Sequence, residues 1–142
     1  MVITACTYVT PNGQGFPGEF AGHTDEMIPS LRRLATAIKE EGSKAILQIF
    51  HGGRQVPQEI VPNGDVVSAS PVPYPGEGKP VPRELTATEV EGIIVDFGQT
   101  TRRAIEAGYD GVEIHDLFPL TPFLRGVREY ATVTASRWSR PV

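Results

Sequence analysis

Residues Ala45–Arg54 read AILQIFHGGR, an apolar run that ends in a histidine, two glycines and an arginine. In a strand, Ala45, Leu47 and Ile49 share one face, and Ile46, Gln48 and Phe50 share the other. Both faces are apolar except at Gln48, the pattern of a central strand in a parallel sheet. A lone amide there must find a partner or cost about 1–3 kcal/mol. Ligands of parallel α/β folds gather at the carboxyl ends of the strands. Gln48 lies near that end, and His51-Gly52-Gly53-Arg54 is the loop beyond it. With a second strand, Gly111 to His115, this stretch reads as a support for a flat cofactor.

Upstream, Val2 to Val9 (VITACTYV) is rich in β-branched and aromatic residues and predicts one strand. A chain that opens directly on a core strand leads us to expect missing upstream structure. Thr10 to Gly22 holds four glycines and two prolines and reads as a loop with a tight turn at Asn12-Gly13. Met27, Leu31, Leu34, Ala35 and Ile38 then recur at helical spacing. Thr24 or Asp25 is the expected cap, Pro29 falls in the first turn, and Gly42 supplies the stop.

Downstream, Gln55 to Glu84 is a long connection with seven prolines. Its length makes it either a lid over a site or a surface excursion away from ligand. Thr86-Ala87-Thr88-Glu89 has the form of a capping box. A helix follows through Val90, Ile93, Ile94, Phe97, Thr101, Ala104 and Ile105, with Gly108 as its end. In Gly111 to His115 (GVEIH), Val112 and Ile114 face one way and Glu113 and His115 the other. Two polar groups on one face of a core strand indicate a barrel interior or a site. Asp116 to Val142 shows no period and no helix–strand alternation.

The bulk numbers narrow the function classes. The chain has 142 residues, 39% hydrophobic and 21% charged, with a formal charge of −4 and a pI near 5.4. No basic stripe marks a nucleic-acid surface. The single cysteine, Cys6, excludes an internal disulfide and suits a reducing, cytoplasmic compartment. No run approaches the roughly 18–20 apolar residues of a membrane span, and no secretory signal opens the chain. His51, His115 and Asp116 lack the spacing of a metal site, and Gly52-Gly53 lacks the context of a phosphate loop.

Taken together, VITACTYVTPNG, SKAILQIFHGGR, the ELTATEV helix start and RRAIEAGYDGVEIH resemble the NADH:flavin oxidoreductase/Old Yellow Enzyme family over residues 1–115. The resemblance implies a (β/α)8 TIM barrel that binds FMN. It also implies hydride passage from NADH or NADPH through the flavin to a small-molecule acceptor such as an activated alkene. It places the backbone of Cys6 against the flavin ring, the alternative being a small buried hydrophobe. It makes Gln48 the amide that bonds the flavin's pyrimidine edge, the alternative being an amide bonded to neighbouring backbone. It makes His115 a donor to a developing oxyanion on the substrate, the alternative being a histidine with no substrate to meet. His51 and Arg54 fall in the family's H-[AG]-G-R turn and shape that loop.

After His115 the sequence departs from the family. Phe118 stands where a second substrate-binding Asn or His belongs. The family's first strand and its later phosphate-binding strands are also missing. The expectation is therefore a partial barrel of about three βα units over residues 1–115. A divergent tail covers 116–142, of the kind a frame change at Asp116 would produce. A closed barrel needs about 250 residues, so this chain alone is expected to bind FMN weakly or not at all. Open strand edges invite pairing with a second copy or another chain. The second expectation is accordingly a non-catalytic half-barrel remnant that folds only with a partner or as an oligomer.

Overall fold

The computed structural model describes residues 1–115, so the readings of residues 116–142 lie outside the described residues. Its strands are β1 (Val2–Ile3), β2 (Thr7–Tyr8), β3 (Phe20–Ala21), β4 (Ala45–Phe50), β5 (Val67–Ser68), β6 (Arg83–Glu84) and β7 (Gly111–Ile114). Its two α-helices are α1 (Ile28–Lys39) and α2 (Ala87–Glu106). The main sheet is parallel throughout: β4 is flanked by β1 and β2 on one side and by β7 on the other, and β3 pairs with β2.

Strand β4 is central, as its two apolar faces predict. Ala45, Leu47 and Ile49 are fully buried and pack with Leu31 and Ala35 of α1 and Ile93, Phe97 and Ala104 of α2. Val112 and Ile114 lean into the same core. The opposite face of the sheet, carrying Ile46, Gln48, Phe50, Glu113 and His115, is the concave side of the partial barrel.

The single strand expected over Val2 to Val9 is instead broken. Ile3 pairs with Ile46 and Thr7 with Ile49, so four steps on this strand match three on β4. The extra residue makes a bulge, a feature rare in parallel ladders. Thr4 fills the interrupted ladder: its N–H donates to the Ile46 carbonyl, and its Oγ1 accepts the Gln48 N–H at 3.2 Å. The bulge switches parity. Ile3 faces the concave side before it; Cys6 and Tyr8 face that side after it.

Helix α1 also starts differently from the expectation. A 3-10 turn at Asp25–Met27 precedes it, and neither Thr24 nor Asp25 caps it with a side chain. The Asp25 carboxylate is drawn away by Arg102 and Arg103 of α2, an ion pair that ties the two helices together. Pro29 does occupy the first turn. Helix α2 begins with the expected capping box: Thr86 Oγ1 accepts from the Glu89 N–H, and the Glu89 carboxylate accepts from the Thr86 N–H. Gly108 follows it in the left-handed region at φ 95°, where a side chain would be strained.

The connection 55–84 is more ordered than a proline-rich loop suggests. Strands β5 and β6 form a second, two-stranded parallel sheet. Val56, Val61 and Val66 make a small separate core with Ile60. Arg83 clamps this unit by bonding both Asp65 and Glu89.

Candidate functional site

On the concave face the side chains form rows across the strands. Cys6, Gln48 and Glu113 make one row, with Gln48 directly opposite Glu113 in the ladder. Tyr8, Phe50 and His115 make the next row toward the carboxyl ends, with Tyr8 opposite Phe50. Two residues of strand, about 6.6 Å, separate the rows. Gln48 and His115 thus share one face, with His115 one row nearer the carboxyl ends.

The Gln48 amide is held from both sides. The Cys6 thiol donates to its Oε1 at 2.8 Å, and its Nε2 donates to the Glu113 carboxylate at 3.2 Å. An amide has two N–H donors and two carbonyl lone pairs. One of each remains after these bonds. The amide therefore still offers a donor and an acceptor side by side, the complement of a ring edge carrying a carbonyl and an N–H. On the chemistry of this donor set, the residues present fit the pyrimidine edge of a flavin.

His115 continues the ladder past β7 by donating its N–H to the Ile49 carbonyl at 2.9 Å. Its ring is tilted 45° against Phe50, with centroids 6.5 Å apart. That contact leaves the imidazole at the rim, where a nitrogen can meet a bound molecule.

Cys6 is half-buried. Burial, and secondarily the negative charge of Glu19, push its thiol above the ordinary range. It is therefore a neutral donor to Gln48 rather than a thiolate nucleophile. Glu19 is nearly buried in the loop after β2, and burial raises its carboxyl as well; its Oε2 accepts from the Gly15 N–H at 2.8 Å.

The turn after β4 is built around His51. Its Nδ1 accepts the Gly53 N–H at 3.0 Å, which puts the ring proton on Nε2, and burial lowers its pKa to about 4. Nε2 itself is buried without a partner. Arg54 donates to the Val72 carbonyl at 3.0 Å and so anchors the proline-rich segment. Both residues shape their loops. Among the described residues no group of three or more His, Cys, Asp or Glu is placed to hold a metal.

Sequence reading missed a role for Glu113, although its alternation with Val112 and Ile114 put it on the His115 face. It missed Tyr8 and Thr4 because the bulge that reorients this strand depends on register with β4. Glu19, inside a glycine-rich loop, carried no pattern at all.

The sequence model of the NADH:flavin oxidoreductase / NADH oxidase family matches residues 1–124. The chain belongs to this family. It is 56% identical over 115 residues to the probable NADH-dependent flavin oxidoreductase YqiG of Bacillus subtilis, covering 81% of this chain and 30% of that protein. It is 47% identical over 114 residues to the NADH:fumarate oxidoreductase of Klebsiella pneumoniae, covering 80% of this chain and 12% of that protein. It is 35% identical over 120 residues to 12-oxophytodienoate reductase 1 of Oryza sativa, covering 81% and 32%. The chain thus spans about a third or less of the length of these curated relatives.

Among solved structures, the TcOYE crystal structure with pHBA superposes with a TM-score of 0.84 at 26% identity, covering 93% of this chain and 49% of that one. Morphinone reductase superposes with a TM-score of 0.81 at 20% identity, covering 92% and 46%, a likeness of fold. The fold is accordingly part of an Old Yellow Enzyme TIM barrel. FMN is the flavin of this family, and NADH or NADPH its reductant. No helix among the described residues is long and apolar enough to cross a membrane.

Proposed function

We propose that residues 1–115 carry one wall of the active site of an FMN-dependent NAD(P)H oxidoreductase acting on a small-molecule acceptor such as an activated alkene. The observation that carries this reading is the Gln48 amide, braced on both sides and presenting its free donor and acceptor on the face shared with His115. When bound, FMN supplies the hydride it has taken from NADH or NADPH. Gln48 binds and orients the pyrimidine edge. The backbone at Cys6 borders the ring. His115 donates a hydrogen bond to the substrate oxygen on which negative charge develops. Phe50, 2% exposed, excludes water beside that histidine.

A second reading, a half-barrel remnant without catalysis, draws support from the open strand edges. Val2 and Phe20 are 42% and 44% exposed on β1 and β3, the strands at the two ends of the order β1-β4-β2-β3. Pairing with a second copy or another chain would bury them. We place the protein in the cytoplasm on its single cysteine, which is not disulfide-bonded.

The purified chain tests the two readings through its visible absorbance and its FMN content after desalting. Retained or reloadable flavin supports the active-site reading. A colourless chain that takes up no added FMN supports the remnant.

A further inference from the structure

The two lateral bonds on Gln48 are unlike each other, and the difference determines which way round the amide lies. A carboxylate only accepts, so Glu113 demands the NH2 end of the amide. A neutral thiol donates better than it accepts, so Cys6 favours the oxygen end, which it meets at 2.8 Å. Glu113 stands on β7 and Cys6 on the strand across β4, so the two demands come from opposite sides and agree. A flipped amide would set its carbonyl oxygen against the Glu113 carboxylate and leave its NH2 only the weakly accepting sulfur of Cys6.

We propose that Glu113 is the positioning residue of the flavin site: with Cys6 it fixes Gln48 with Nε2 toward β7 and Oε1 toward β2. The ring edge that docks on Gln48 must then present its acceptor on the β7 side and its donor on the β2 side. This rests on the flavin reading above and deepens it by assigning a polarity to the site. Glu113 touches no ligand in this scheme; it acts through Gln48.

The test compares the full chain with its Glu113→Gln and Glu113→Leu variants, each confirmed folded by far-ultraviolet circular dichroism. FMN binding is read by quenching of flavin fluorescence. The Gln48 side-chain amide is read by 15N NMR without flavin. Glutamine at 113 keeps an oxygen acceptor for Nε2, so Glu113→Gln should bind FMN within about threefold of the parent chain. Leucine removes the acceptor, so Glu113→Leu should weaken binding about tenfold or more, and the slowly exchanging Nε2 proton of Gln48 should disappear. Equal FMN binding by Glu113→Leu and the parent overturns the proposal. So does a Gln48 amide that exchanges rapidly in the parent chain. If no variant binds FMN yet the protected proton is present in the parent and lost in Glu113→Leu, the flavin reading falls while the orientation of Gln48 by Glu113 stands.

Discussion

Gly13 lies against the ring of His51: a Cβ built on Gly13 would sit 2.7 Å from Cδ2 of the imidazole and 3.2 Å from the His51 Cα. The two loops at the carboxyl ends of β2 and β4 therefore touch where only a glycine fits. The Gly52 N–H donates to the Gly13 carbonyl at 2.8 Å and holds them at that distance.

Gly13→Ala should consequently separate these loops. The ring cannot retreat, because Nδ1 is held by Gly53 and the imidazole is packed. The expected loss is about 1–3 kcal/mol, the usual consequence of overpacking a closed site. Urea denaturation followed by circular dichroism measures it. A change within experimental scatter would show that the contact gives way freely.

His51 also sets a pH dependence. Its folded pKa, about 4, lies below the ordinary histidine value of 6.5 because burial disfavours the charged ring. Between those values the unfolded chain binds more protons than the folded one, so stability falls as pH drops from 6.5 to 4. His23, lowered by burial and then by Arg103, adds to the same slope. Glu19, raised by burial, opposes it, since its protonated folded form loses stability as pH rises through the carboxylate range. His51→Asn keeps an acceptor for Gly53 without the titration. Its denaturation midpoint should depend less on pH between 6.5 and 4 than that of the parent.

The capping box gives a local test. Thr86→Ala removes the side-chain acceptor for the Glu89 N–H and should cost about 1 kcal/mol. Glu89 is also pulled down to a pKa of about 2, first by Arg83 and then by its bonds to Thr86. Its stabilising contribution is present above pH 4.5 and is lost as pH falls toward 2. Thermal melts of Thr86→Ala at pH 7 and pH 3 check both statements: the deficit against the parent should shrink at the lower pH.

The core prediction is simpler. Leu47 is completely buried between the sheet and both helices. Leu47→Ala should destabilise by about 2–5 kcal/mol. In a partial barrel with open edges, that should appear as loss of cooperative unfolding. A cooperative transition at the parent's midpoint would mean that β4 is not the centre of the core.

What the sequence reveals and what it conceals follow from the range of the interactions. The capping box at Thr86 and Glu89 is local, three residues apart, and is readable directly. The alternation along Ala45–Phe50 is likewise local and places Gln48 on the concave face. The bulge at Thr4 to Cys6 exists only in register with β4, more than forty residues away, so the strand reads as unbroken. The failure of Asp25 to cap α1 has the same origin: Arg102 and Arg103, which hold it, come from the far end of α2. The parallel pairing of β5 with β6 brings together two-residue strands too short to leave a period. Gln48 and His115 are legible together from the two apolar strands that carry them; the row that joins Cys6, Gln48 and Glu113 needs the sheet.

The most direct test of the central claim is a titration of FMN into the 142-residue chain, read by flavin fluorescence, beside Gln48→Leu. A braced amide facing a flavin predicts weak, saturable quenching by the parent chain and at least about tenfold weaker binding by the variant. Identical curves for the two proteins, or no saturable binding by the parent, would contradict it.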